Sequence, residues 1–370
     1  MLLYLLPNIY VYFRVKRLLP SSGYKKVFTP VYIFLALAFP ITERLSHNAD
    51  FFARKYFLII GYYSLPYLLY LFLVVLSLDL LLGLNLLLKA ISKETIRGRV
   101  FRTVHILILP AVPLAIVIMG SLNYSHIKIN EYRIEVLQKS SAATHLKVAL
   151  IADFHLRELT SKRFMPGFVA KVNSLAPDLV VIPGDVLEGD RRDEGTAEFE
   201  SQFRQIRAKH GVYASLGNHE SHGETNKLNF FKNANIHVLP DTMVMIDHSF
   251  YLGGRNDRHF GSRKTLPELL KEASENLPIL LLDHRPADLE AVSHSSVDVQ
   301  FSGHTHNGQL FPFNFMAKRE YELSWGHKKK GNTHFFVTCG IQGWGPPVRT
   351  AGVSEIMLIN IDFVENEKEP

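Results

Sequence analysis

The chain has 370 residues, with 41 Lys or Arg against 35 Asp or Glu, a formal charge of +6 and one cysteine. That charge is uneven: residues 1–122 hold 13 basic and 4 acidic side chains, while the rest holds 28 and 31. A net negative C-terminal two thirds argues against a nucleic-acid surface there, and a lone Cys339 rules out an intramolecular disulfide.

Long apolar stretches fill the first 122 residues. Residues 57–78 run for 22 positions without a charge, enough at about 1.5 Å per residue to cross a hydrocarbon core of about 30 Å. Val104–Leu122 is a second candidate. The stretch before Arg14 and Val27–Thr42, with 16 uncharged residues, are shorter, and the latter also reads as a buried core helix. About four spans are expected, near 1–13, 27–42, 57–78 and 104–122, forming a helical membrane domain. A cleaved leader is disfavoured, because Arg14, Lys16, Arg17, Lys25 and Lys26 follow the first apolar run instead of preceding it.

Basic residues give this domain an orientation. Five lie between 14 and 26, three between 43 and 56, and five between 89 and 103. The first and third connections are therefore expected in the cytoplasm, and everything after residue 122 on the extracytoplasmic side of the cell membrane, in a multi-pass protein. Three spans, with Met1–Phe13 lying on the surface, give the same side. Anionic headgroups are the expected partners of the basic connections. Asp79 and Asn85 are slender evidence for transport.

Residues 123–145 read as a linker with one strand candidate, Ile127–Val136. Five short apolar runs follow, each ending at a polar cluster. Val148–Ala152 precedes Asp153-Phe154-His155, Leu179–Ile182 precedes Gly184-Asp185, and Val212–Leu216 precedes Gly217-Asn218-His219-Glu220. Ile279–Leu282 precedes Asp283-His284, and Val297–Phe301 precedes Gly303-His304-Thr305-His306. Such runs read as buried strands, with helices over 160–176 and 196–209 completing βαβ units whose side chains meet at the carboxyl edge of a sheet. Runs 244–253, 334–339 and 355–363 are expected to furnish a second sheet.

Carboxylate and amide oxygens mixed with imidazoles, with no thiolate, suit Mn, Zn or Fe. In extended segments Asp153 with His155, and His304 with His306, would share a face. Asp185 is the best placed to bridge two ions, and Asn218 offers a neutral oxygen.

These clusters resemble the calcineurin-like metallophosphoesterase pattern D-x-H, G-D-x-x-[DE], G-N-H-[DE], H, G-H-x-H. Leu282–Pro286, Gly303–Gln309 and Gly343–Pro347 resemble its membrane-attached, YkuE-like branch. The resemblance covers about residues 145–365 and implies a four-layer α/β/β/α fold over 146–365. It implies that Asp153, His155 and His306 hold one divalent ion, that Asn218, His284 and His304 hold another, and that Asp185 bridges them. It further implies that His219 contacts the phosphate or protonates the leaving oxygen, and that Glu220 and Asp283 orient imidazoles. The implied reaction is attack on a phosphate ester by a hydroxide held between the ions. Asn307 and Glu188 depart from the commonest family residues without removing a ligand.

Location makes a lipid or cell-envelope phosphate ester the expected substrate. A lipid-linked pyrophosphatase similar to UDP-diacylglucosamine hydrolases is one alternative, and a non-catalytic metal-binding module another. His210, His222, His237 and His294 read as solvated or structural, Gly253-Gly254 as a turn, Cys339 as a strand residue, and Trp344 as a rim or core aromatic.

Overall fold

The computed structural model describes residues 2–45, 54–157, 160–161, 163–188, 196–221 and 227–365; His222 lies outside them. The chain divides into two compact units, 1–122 with Gly345–Thr350, and 123–344 with 351–370.

The first unit is helical: α1 Leu2–Leu18, α2 Ser22–Leu45, α3 Arg54–Leu88, the single-turn α4 Lys93–Arg97, and α5 Arg99–Ser125. Among the described residues three helices are long and apolar enough to cross a membrane, over Ser22–Arg44, Lys55–Leu88 and Arg99–Ser125. α1, at 17 residues with a proline inside, is shorter than a typical span. Consecutive long helices run antiparallel, with Tyr12 bonding Thr29 near one turn and Thr42 bonding the carbonyl of Phe57 near the next. Asp79, in an apolar helix, is not left bare: Arg14 Nε donates to it at 2.7 Å, and Tyr10 bonds it as well. Asn85 bonds both backbone groups of Ile91. Both polar residues thus have local partners. The excursion Gly345–Thr350 returns to this unit, with Arg349 N–H donating to Gly120 O at 2.8 Å.

The second unit begins with β1 Ile127–Leu137 and β2 His145–Leu150. It continues through α6 Phe164–Ser174, β3 Leu179–Pro183, α7 Thr196–Phe203, β4 Val212–Ser215, α8 Lys227–Asn233, β5 His237–Val238, β6 Thr242–Ile246 and β7 Phe250–Arg255. The remainder is α9 Leu266–Leu270, β8 Ile279–Asp283, α10 Leu289–Ser293, β9 Val299–Ser302, a 3₁₀ turn His306–Gly308, α11 Phe313–Glu320, β10 Gly326–Lys330, β11 Thr333–Val337 and β12 Ser354–Val364. Two six-stranded sheets result, in the orders β1-β12-β2-β3-β4-β5 and β10-β11-β9-β8-β7-β6.

The central strands are buried on both faces because both faces are covered. Val148, Leu150, Leu179 and Val181 meet Leu280, Leu282, Val299 and Phe301 between the sheets. Their neighbours Ala149, Ile151, Val180 and Ile182 pack under Phe168, Phe203 and Phe230 of the helices. Ile279, Leu281 and Phe335 pack under Leu266, Leu269, Leu289 and Val292. Helix, sheet, sheet and helix are four layers with three apolar seams.

Three expectations are corrected. The run 355–363 lies in the first sheet, where β12 pairs in parallel with β1 over eleven positions and antiparallel with β2; the strand candidate in the linker is that partner. Gly253-Gly254 is no turn but the middle of β7, and a Cβ there would lie 2.2 Å from Met243 Sδ or Leu239 O. Cys339 follows β11 and is buried, with its N–H bound to Glu355 at 2.7 Å.

Candidate metal centre

β2, β3, β4, β8 and β9 all end at one edge of the paired sheets, and a polar loop leaves each. Backbone bonds join these loops to one another. Asp153 N–H donates to Gly184 O, His155 N–H to Asp185 O at 3.0 Å, and Gly303 N–H to His284 O at 2.9 Å. Asp153 also accepts the His304 N–H at 3.1 Å, and Asp185 Oδ1 accepts the His219 N–H at 2.9 Å. Packing this close explains the glycines: a Cβ on Gly184, whose φ is +84°, would sit 2.6 Å from His284 Nδ1, and one on Gly303 would sit 2.6 Å from Asp153 Oδ2.

The extended geometry expected for the D-x-H and H-x-H pairs is not what the chain adopts. Asp153, His155, Asp185, His304 and His306 have φ of 57°, 44°, 54°, 70° and 49°. This left-handed region costs non-glycine residues on the order of 1–3 kcal/mol each, and such conformations concentrate at functional sites. Tight reversals, rather than strand alternation, turn these side chains inward.

Three groups of candidate ligands result: Asp153 with His155 and His306, His155 with Asp185 and His219, and Asp185 with His284 and His304. Within each, the donor atoms lie within 4.8 Å of one another. Asp185 belongs to two groups and is buried, as are Asp153, His155 and His284. Asn218 Oδ1 is 3.1 Å from His284 Nε2. All seven candidate ligands and His219 therefore share one pocket, whereas no described group of this kind includes His210, His237 or His294.

Hydrogen bonds fix which imidazole nitrogens face inward. His284 Nδ1 donates to Pro183 O at 2.8 Å, leaving Nε2 toward Asp185 at 3.1 Å and His304 Nδ1 at 3.2 Å. His155 Nδ1 donates to Glu188 at 2.7 Å, leaving Nε2 at 3.1 Å from His306 Nε2. Nitrogen lone pairs and carboxylates converging at these distances repel unless a cation lies among them. Protons show the same demand: burial lowers the His284 pKa, but the Asp185 carboxylate outweighs it and raises it to about 10. Burial and the His284 charge push its neighbour His304 down to about 2. Burial raises Asp153 to about 6. The donor set, all N and O with no sulfur, fits divalent transition-metal ions.

Glu188 is a residue whose role the sequence did not reveal; the spacing G-D-x-x-E held its only signal. Its carboxylate joins His155 to His219, whose Nδ1 is 3.0 Å away. Burial lowers the His219 pKa, but this carboxylate raises it further, to about 9. Glu188→Gln is expected to reduce turnover roughly 10- to 100-fold. Because a raised pKa keeps His219 protonated up to about pH 9, removing the Glu188 charge should also move the alkaline limb of the pH–rate profile to lower pH.

Arg285 is the other residue missed. Asp257 accepts its Nε at 2.6 Å, while its Nη1 lies 2.8 Å from His304 Nε2 and its Nη2 lies 3.2 Å from His259. A guanidinium thus stands beside one end of the ligand cluster. The expected orienting roles of Glu220 and Asp283 differ in kind from their contacts. Glu220 takes the backbone N–H of Asp185, Leu187 and Gly217, and Asp283 accepts from Arg255 at 3.3 Å and Arg263 at 2.7 Å. They brace loops, not imidazoles.

Comparison with known proteins agrees with this arrangement. Residues 146–308 match the calcineurin-like phosphoesterase family. An uncharacterized metallophosphoesterase of Campylobacter jejuni is 27% identical over 372 residues, spanning 98% of this chain and 96% of its own. A Bos taurus transmembrane protein with metallophosphoesterase domain is 29% identical over 231 residues, 57% of this chain and 52% of its own. UDP-2,3-diacylglucosamine pyrophosphatase of Chlamydia muridarum is 24% identical over 223 residues, 47% of this chain and 68% of its own. Residues 146–308 are thus a calcineurin-like metallophosphoesterase domain.

Proposed function

We propose that this protein is a membrane-anchored phosphoesterase that hydrolyses a phosphate ester at a two-ion centre. The observation that carries the reading is Asp185, which is buried and shared between two ligand groups whose donors lie within 4.8 Å of one another. Asp153, His155 and His306 would hold one ion, Asn218, His284 and His304 the other, and Asp185 both. Divalent ions so held would supply Lewis-acid stabilisation of phosphoryl charge and an activated water.

The chain's own groups supply the rest. His219, cationic up to about pH 9, would bind a phosphoryl oxygen and pass its proton to the departing oxygen. Glu188 holds that ring and favours its cationic form, which regains its proton from water. Arg285 would neutralise a further anionic oxygen, as a diester or pyrophosphate presents. The ligand carboxylates Asp153 and Asp185 are buried, which strengthens their interactions with a bound cation.

Charge favours an extracytoplasmic domain. Ten of the 13 basic residues in 1–122 lie where α1 joins α2 or where α3 joins α5, and this is the signature of a cytoplasmic face. The helix that leads into the catalytic domain starts at that face. The pyrophosphatase activity that the Chlamydia relative's name records, together with the spans, favours a lipid-linked phosphate ester or pyrophosphate over a soluble metabolite.

The test uses the full chain in detergent, stripped by chelation and reloaded with Mn, Zn or Fe, acting on bis-p-nitrophenyl and p-nitrophenyl phosphate. Turnover that disappears with the chelator and returns with metal is expected, and the diester-to-monoester ratio narrows the substrate class. Folded protein that takes up no metal would refute the reading.

A further inference from the structure

The helix α11, Phe313–Glu320, starts seven residues after His306. Its exposed face and the turn before it carry Phe311, Phe313, Phe315 and Met316, which are 46%, 43%, 60% and 62% exposed. Ala317 is the helix's one buried residue. The patch is continuous, since the Phe311 and Phe315 rings meet edge-on with centroids 5.8 Å apart. Lys318 and Arg319, exposed in the last turn, border it.

Scattered apolar side chains on a surface need no explanation, but three large ones on a single short helix and a fourth in the turn before it do. Exposed aromatic and Met side chains interleaved with basic residues have the composition of a segment lying in a lipid interface, where rings enter the acyl boundary and cations meet phosphate headgroups. The basic border argues for an anionic leaflet rather than a protein partner. Apolar helices long enough to span a membrane belong to the same chain, so a leaflet is always at hand.

We propose that the exposed face of α11 is embedded in the headgroup region of an anionic leaflet. A phosphate ester carried on a lipid then meets the candidate centre beside that surface, without leaving the bilayer. The embedding rests on the membrane reading above, and only its consequence for substrate rests on the phosphoesterase reading.

The test places a cysteine at residue 315 by Phe315→Cys, and separately at exposed position 275 by Glu275→Cys, in the full chain. Cys339 is buried, so the new thiol is the reactive one. Each is labelled with a nitrobenzoxadiazole fluorophore and reconstituted in nanodiscs of phosphatidylcholine and phosphatidylglycerol, with and without doxyl-labelled lipid. Blue-shifted emission at 315 that doxyl lipid quenches, with neither effect at 275, is the expected result. A label at 315 that behaves like the one at 275 overturns the proposal; so does one that is blue-shifted but unquenched, which would mean burial against protein.

A second arm reads substrate access. Phe313→Asp with Phe315→Asp should raise KM for a bilayer-borne phosphate ester about tenfold or more and leave p-nitrophenyl turnover unchanged. Equal effects on both substrates would overturn the access role. If the chain hydrolyses neither, the phosphoesterase reading fails while the fluorescence result stands by itself.

Discussion

Asp185→Asn is expected to lower kcat/KM by roughly a thousandfold or more, as removal of a group that acts directly on transition-state charge does. Asparagine keeps the volume and can still accept the His219 N–H that Asp185 Oδ1 takes at 2.9 Å, so the loops should keep their places. What is lost is a charge common to two ligand groups, and bound metal per chain should fall with activity. Elemental analysis of purified wild type and variant, beside the kinetics, checks this. Unchanged metal content and activity would show that Asp185 is not the shared ligand.

The same substitution has a signature in metal-free protein. His284 is raised to about 10 by the Asp185 charge against the opposing effect of burial. A raised folded pKa contributes stability that is fully present below the unfolded value of about 6.5 and is lost as pH rises through the folded value. Metal-free wild type should therefore lose thermal stability between about pH 7 and pH 10. Asp185→Asn, whose His284 lacks that partner, should show a flatter profile over the same window.

Much of this site could be read in the sequence because its information is local. Each ligand cluster stands at the end of an apolar run, and a run such as Ile279–Leu282, apolar at every position, signals a strand covered on both faces. What stayed hidden depended on contacts distant in sequence. β12 pairs with β1 across more than two hundred residues, and alternation in 355–363 gives a strand without naming its sheet. Gly253-Gly254 carries the composition of a turn, yet it is needed where Met243 and Leu239 press on β7. Left-handed backbone at five ligand positions has no sequence signal either, since Asp and His only tolerate it better than branched residues do. Arg285 and Glu188 came into view only as geometry, because their partners lie 19 to 33 residues away along the chain.

The bracing of the loops predicts the largest loss of stability. Glu220 is 7% exposed and accepts three backbone N–H groups, with Oε2 taking Asp185 at 2.9 Å and Gly217 at 2.8 Å, and Oε1 taking Leu187 at 2.9 Å. Glu220→Ala leaves three buried donors without their acceptor. Bonds to charged groups contribute about 1.5–3 kcal/mol each and do not simply add, so a loss of about 4 kcal/mol is expected. At roughly 2–4 °C per kcal/mol for a domain of this size, Tm of the metal-free protein should fall by about 8–16 °C. Glu220→Gln separates acceptor from charge. A carbonyl oxygen in the Oε2 position keeps two of the three bonds and turns an amide NH₂ toward the Leu187 N–H, so its loss should be about half as large. Burial and the Asp185 charge raise the Glu220 pKa, so the charge itself is held at a cost that glutamine avoids, which narrows the gap further. Equal Tm values for metal-free wild type and Glu220→Ala would mean that the loops from β3 and β4 hold their shape without it.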